Sequence, residues 1–124
     1  NPDSPFFIHE ADTYLSFDET SNLIHHAGGK AFLAHIFEYD TFRKNGYIEE
    51  VNDRLDGIEC FHPSIPMRES IKLFKYCEEN HLYVSGGSDF HKPERHIPFG
   101  VHLDRSLLLS SSFHWIPEYL RKLV

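Results

Sequence analysis

The stretch Leu82-Tyr83-Val84-Ser85-Gly86-Gly87-Ser88-Asp89-Phe90-His91 decides how this chain is read. Its first four residues form a short apolar run rich in strand formers, and two glycines follow at once. Such a run bounded by turn residues reads as a strand buried in a sheet. The glycines let the backbone turn sharply and approach a site closely. Asp89 and His91 are two apart, so in extended geometry their side chains point the same way, as two ligands of one metal cluster must. Asp89 alone could equally be a turn residue or a helix cap. It is the whole string after an apolar strand that makes the metal reading specific.

Working outward, the same strand signal recurs twice upstream. Lys30-Ala31-Phe32-Leu33-Ala34-His35 is a nearly continuous apolar run, predicted to be a strand buried on both faces. Gly57-Ile58-Glu59-Cys60-Phe61 is the next. Helical patterns lie between them. Ser16-Phe17-Asp18-Glu19 reads as a capping box opening a helix with Leu23, Ile24 and Ala27 on one face, stopped by Gly28-Gly29. Tyr47, Ile48, Val51 and Leu55 predict a second helix. Ile71, Phe74 and Cys77 predict a third of about 12 to 14 residues ending near Asn80-His81. This alternation predicts an α/β fold of parallel strands with right-handed crossover helices. Residues 1–15 read as a loop anchored by Phe6, Phe7 and Tyr14, and 16–103 as the core β/α units. Residues 104–124 read as a loop and helix whose apolar face is Trp115, Ile116, Tyr119, Leu120 and Leu123, with Pro117 in its first turn. Val101-His102-Leu103 reads as a further short strand.

The chain has 124 residues, enough to bury about two-thirds of its unfolded surface without disulfides. Its 40% apolar content excludes intrinsic disorder. A net charge of −7 argues against a general nucleic-acid binder, and leaves room only for a short or nucleotide substrate. Cys60 and Cys77 form no C-x-x-C and sit in apolar patterns, so they read as reduced core residues. No apolar run is long enough for a membrane span, and the start carries no signal-peptide pattern, which predicts a cytoplasmic protein. Ten histidines are roughly three to four times ordinary usage.

Parallel α/β folds bind ligands beyond the C-terminal ends of their strands. The three predicted strands end at His35, at Glu59 and His62, and at Ser88, Asp89 and His91. Imidazole and carboxylate together suit zinc, manganese or iron. Glu59 could instead be a surface residue, and His62, before Pro63, could simply shape a loop. His9, His25, His26, His81, His96, His102 and His114 read as surface, capping or packing residues. Lys92 and Arg95 could reach a phosphate or form a solvated loop. There is no G-x-S-x-G and no P-loop, and Gly28-Gly29 follows a helix, the wrong order for a dinucleotide site.

Three linked motifs resemble the PHP (polymerase and histidinol phosphatase) domain family. His25 to His35 is similar to its "HxAGGxxxLAH" segment, Asp56-Gly57-Ile58-Glu59 to its "DGIE" strand, and Gly86 to His91 to its "GGSDFH" motif. The resemblance runs from about residue 15 to residue 103. It implies the C-terminal part of a distorted (β/α)7 barrel with two or three divalent metal ions (Mn, Zn or Fe) at the strand C-termini. His35, Asp89 and His91 fall on metal-ligand positions. Glu59, His62 and Ser88 would buttress them or face substrate. The implied activity is hydrolysis of a small phosphorylated molecule, the metals activating water and holding phosphoryl oxygens. The family's upstream ligands have no counterpart here, so this chain alone is expected to be inactive. It is expected to self-associate or to pair with the missing half through an open edge at Ala31–Ala34. Many members read "HPGR" after the metal-binding His, where this chain has His35-Ile36-Phe37-Glu38. An amidohydrolase-type hydrolase and a non-catalytic module keeping the scaffold are the alternative readings.

Overall fold

The computed structural model describes residues 13–39, 48, 52–92 and 99–122. Helix α1 (Phe17–His26) opens on the expected capping box. The Ser16 hydroxyl accepts the Glu19 N–H, and the Glu19 carboxylate accepts the Ser16 N–H at 2.9 Å. At its C-terminus the Gly28 N–H reaches the His25 carbonyl and the Gly29 N–H reaches the Ile24 carbonyl, which closes the last turn. The buried face differs from the expected one. Leu23 and Ala27 are exposed, and Ile24 faces inward as expected but with Phe17 and Ser21 beside it. Ser21 is buried because its hydroxyl donates to the Arg54 carbonyl, which needs a small polar residue at the point of contact.

Strands β1 (Phe32–Leu33), β2 (Gly57–Phe61) and β3 (Tyr83–Gly86) form one sheet in the order β1-β2-β3, all parallel. Central β2 is buried on both faces except at Glu59. β1 is shorter than expected and only half-buried, because among the described residues it pairs on one side only. Between the pairs Glu59↔Ser85 and Phe61↔Gly86, β2 carries one extra residue, an irregularity of the kind found where sheets re-aim side chains near sites.

Helix α2 (Met67–Glu79) has 13 residues and ends at Asn80, as its periodicity predicts. Its inward face is Ser70, Phe74 and Cys77, whereas Ile71 is half exposed. Phe74 packs between Phe61 and Phe113, and these rings anchor the core with Ile58, Cys60, Val84 and Leu108. Cys60 and Cys77 are free and fully buried, their sulfurs 3.6 Å apart. The mutual hydrogen bond, then burial, push the Cys60 thiol far above its ordinary value, so it is inert as a nucleophile.

The tail departs most from expectation. Residues 101–104 form no strand. The short helix α3 (Glu118–Arg121) buries none of its residues, and Pro117 precedes it as its cap. Two 3-10 turns, Leu107–Leu109 and Ser111–Phe113, carry the tail's burial through Leu108 and Phe113. Trp115 donates from Nε1 to the Val84 carbonyl at 2.8 Å, which ties the tail to β3. The expected helix around Tyr47, Val51 and Leu55 lies largely outside the described residues, as do Phe6, Phe7, His9, Arg95 and His96. Within it, Ile48 is helical and Leu55 is buried. Among the described residues no helix is long and apolar enough to cross a membrane.

Candidate active site

The C-terminal ends of the three strands lie along one rim, and the backbone there is unusual. His35, directly after β1, has φ +31°, and Asp89, after β3, has φ +50°. Non-glycine residues in this region cost roughly 1–2 kcal/mol each, somewhat less for Asp. Such strain persists only where the surroundings enforce it.

At His35 the enforcing group is Glu59. Its Oε2 accepts the His35 N–H at 2.7 Å. Its Oε1 occupies the space beside Gly87, where an added Cβ would meet it at 2.7 Å. The Glu59 carboxylate therefore links the ends of β1 and β3 across central β2, and Gly87 must lack a side chain for it to do so. This makes Glu59 a positioning group, not the free surface residue that was its alternative reading.

The His35 imidazole is about two-thirds buried. Its Nδ1 is shielded from water and has no hydrogen-bond partner among the described residues, where Glu38 Oε2 stands 3.9 Å away. The ring lies 5.5 Å from Tyr39 and 6.0 Å from His62, centroid to centroid. His62 is buried, and its Nε2 is likewise unpartnered. On the far side of the rim, Asp89 Oδ1 and His91 Nε2 stand 2.8 Å apart, but Asp89 at φ +50° is not in the extended geometry expected there. Ser88 is buried, and its hydroxyl accepts the Gly100 N–H at 2.8 Å, which ties Gly100 to the end of β3.

The structure thus brings together Asp89 with His91, and the His35 ring with the His62 ring, with Glu59 bound to the His35 backbone. Among the described residues no three His, Cys, Asp or Glu side chains stand together as a metal cluster. The donor chemistry nevertheless fits a metal. His35 presents an orphaned imidazole nitrogen, and Asp89 and His91 form a carboxylate–imidazole pair, both suited to zinc, manganese or iron.

Sequence reasoning missed a second cluster at the opposite, N-terminal end of the strands. Asp56 accepts the Ala31 N–H at 2.7 Å, stands 2.7 Å from His25 Nε2 and 3.5 Å from Lys30 Nζ. Burial raises the Asp56 pKa, but the Ala31 and His25 hydrogen bonds and the charges of Lys30 and His25 outweigh it, and the carboxyl sits below its ordinary value. Lys30 also lies over the Tyr83 ring at 4.7 Å. The signal was the pairing of an Asp before one strand with a His on the helix before another, inside two motifs quoted for other reasons.

No family model matches the chain. It is 30% identical over 86 residues to the 5'-3' exoribonuclease Rnm of Escherichia coli (strain K12), and equally to that of Salmonella typhimurium. Each match covers 64% of this chain and 28% of the relative, so the chain spans little more than a quarter of those proteins' length. Among solved structures it is similar to an amidohydrolase from Chromobacterium violaceum, solved with bound sulfate and no metal. There the TM-score is 0.62 and the identity 27%, over 84% of this chain and 37% of that one. Parallel strands with intervening helices, matched to a minor part of a larger enzyme, are what part of an α/β barrel presents.

Proposed function

We propose that this chain is the C-terminal part of a PHP-type barrel whose whole protein is a metal-dependent hydrolase of phosphate esters. The observation that carries the reading is the left-handed backbone at His35 and Asp89, which follow β1 and β3, together with the pairing of the Asp89 and His91 side chains. Similarity to an exoribonuclease and to an amidohydrolase supports hydrolysis in general. Similarity to an enzyme acting at RNA ends favours a phosphoester over an amide. The acidic composition is compatible with a substrate held at one nucleotide or a short end, not along a strand.

His35, Asp89 and His91 would hold a divalent cation, which supplies Lewis acidity at phosphorus and lowers the cost of generating a nucleophile from water. The chain's own residues fix the geometry. Glu59 holds the His35 backbone so that its ring stays on the rim. Ser88 binds the Gly100 N–H beside Asp89 and so would help set the position of Asp89.

The test is turnover by the full-length protein with Mn²⁺ on phosphomonoesters, short oligoribonucleotides and amides. Phosphoester turnover should fall by about 100-fold or more in Asp89→Ala, since even groups that only support ligands are worth about 10–100-fold. Near wild-type turnover in that variant contradicts the reading. The structural likeness to an amidohydrolase gives a second reading, and faster turnover of amides than of phosphoesters would establish it instead.

The reading extends to assembly. Among the described residues β1 pairs only with β2, and residues Ala31–Ala34 carry no charge or proline to blunt the other edge. An apolar recess lined by Tyr14, Leu15, Leu33 and Tyr39 lies beside it. We propose that a strand from the rest of the whole protein fills this edge, and that the isolated chain self-associates there. A monomer of 14.5 kDa in light scattering at micromolar concentration, with slowly exchanging Ala31–Ala34 amides, would contradict this.

A further inference from the structure

His62 carries more information than its place in the sequence suggests. Its Nδ1 lies 3.2 Å from the Ser64 backbone nitrogen and 2.7 Å from the Ser64 hydroxyl. A backbone N–H can only donate, so Nδ1 must present its lone pair. That assigns the ring as the tautomer with its proton on Nε2. The Nε2–H is therefore a donor, in a residue only 7% exposed, and among the described residues it has no acceptor. With its lone pair already engaged and its proton on the other nitrogen, this ring is unsuited to bind a metal but suited to bind an oxygen. Orphaned buried donors are rare and costly, and their presence calls for an explanation.

Two neighbours indicate what the acceptor is. His62 forms one wall of a cavity of about 540 Å³, with Phe61, Pro63, Met67, Phe99 and Val101 among the others. Met67 and Ser70 from the first turn of α2 line the same cavity, with Ile65 just before the helix. That helix has 13 residues and is preceded by Pro66, so no side chain caps its first turn. The Pro66 carbonyl takes the Glu69 and Ser70 N–H groups at 2.8 and 3.0 Å, which leaves the N–H groups of Met67 and Arg68 uncapped by any side chain. These, with the positive end of the helix dipole, favour an anion. Glu69, the one acidic residue of that turn, is already bound to Lys72 and Arg68, each at 3.0 Å. Reaching Nε2 requires the cavity wall to give, and two of its members, Met67 and Phe99, are largely exposed side chains.

We propose that the His62 Nε2–H and the N-terminus of α2 form an oxyanion site that receives a phosphoryl group of the substrate beside His35. The proposal rests on the phosphoester reading for the identity of the anion. It adds a specificity-determining residue: His62 positions substrate and takes no part in holding metal.

The experiment titrates the full-length protein with inorganic phosphate in the presence of EDTA, with ¹⁵N-histidine NMR and thermal shift as readouts. The wild-type His62 signal should show the Nε2–H tautomer, and its Nε2 resonance should move on adding phosphate. His62→Phe should weaken phosphate binding about tenfold or more, the value of one hydrogen bond to a charged acceptor. His62→Gln places an amide N–H near the Nε2 position and should stay within about threefold of wild type. An Nδ1–H tautomer, an Nε2 resonance unmoved at saturating phosphate, or wild-type affinity in His62→Phe would overturn the proposal. The two NMR results hold even if a variant fails to fold. Because metal is absent, the result is independent of the Asp89→Ala turnover test. Unchanged phosphate binding in His62→Phe with turnover lost in Asp89→Ala sinks this inference alone, and the reverse pattern sinks the phosphoester reading alone.

Discussion

At the N-terminal end of the sheet, the Asp56 carboxylate is bound by a backbone N–H, an imidazole and an ammonium group, and Lys30 also covers the Tyr83 ring. At the C-terminal end, the residue types are similar but the arrangement is the reverse. Among the described residues His35 and His62 each bury a nitrogen with no partner. Left-handed backbone is not confined to this end, since His81 before β3 has φ +57° as His35 and Asp89 have +31° and +50°. Each buried unmet donor or acceptor costs about 1–3 kcal/mol. The difference separates residues that hold the fold from residues that the fold holds. Histidine count or charge alone would not distinguish His25 from His35.

Gly57, at the well-satisfied end, sharpens the comparison most. A Cβ there would come within 2.4 Å of the Phe32 ring and 2.6 Å of the Tyr83 carbonyl oxygen. Backbone on one side cannot yield, so Gly57→Ala should cost about 3 kcal/mol in urea unfolding, the upper range for overpacking. A cost below about 1 kcal/mol would show that β1 and β3 are not held this close to β2.

Asp56→Ala comes next, with an expected loss of about 2 kcal/mol, because it strands the Ala31 N–H and frees His25 and Lys30. Its pH dependence has a definite sign. The folded carboxyl lies below its ordinary value, so its stabilisation is complete above the unfolded pKa of about 4 and is lost as pH falls through the folded one. Wild type and variant should therefore converge in stability below pH 4. Parallel curves throughout the acid range would show that Asp56 contributes no charged interaction.

Gly87→Ala is the mirror of Gly57→Ala at the rim. The added Cβ meets only the flexible end of Glu59 at 2.7 Å. Stability should change by less than about 1 kcal/mol. Activity of the whole protein should still fall, because Glu59 must release the His35 N–H to make room. Unchanged activity would remove Glu59 from its positioning role.

Much of this arrangement was legible in the sequence, for reasons that can be named. Ser16 and Glu19 announced α1 because a capping box depends only on local spacing. β2 and α2 were legible because apolar periodicity survives wherever an element is buried on a broad face. The buried side of each helix was less so. Ser21 and Ser70 face inward where apolar Leu23 and Ile71 do not, because the close contact is decided by a small side chain, not by hydrophobicity. The tail misled for a related reason. Its apolar residues at helical spacing lie mostly on the surface, while Leu108 and Phe113 do the burying from irregular turns that carry no period. At the site, motif spacing identified the residues of the rim. The Glu59 bridge and the His62 tautomer depend on contacts that no local pattern of apolar and polar residues encodes.

On the proposed function the rim residues are kept for chemistry at the expense of stability, and Asp89→Gly is the direct test. Glycine tolerates the backbone at φ +50° and removes the carboxylate in one step. Mn²⁺-dependent phosphoester turnover by the full-length protein should fall by about 100-fold or more. The unfolding midpoint, measured on the same sample, should stay level or rise, with a gain of up to about 1 kcal/mol. Turnover close to wild type, or a stability loss as large as that of Asp56→Ala, would contradict the account.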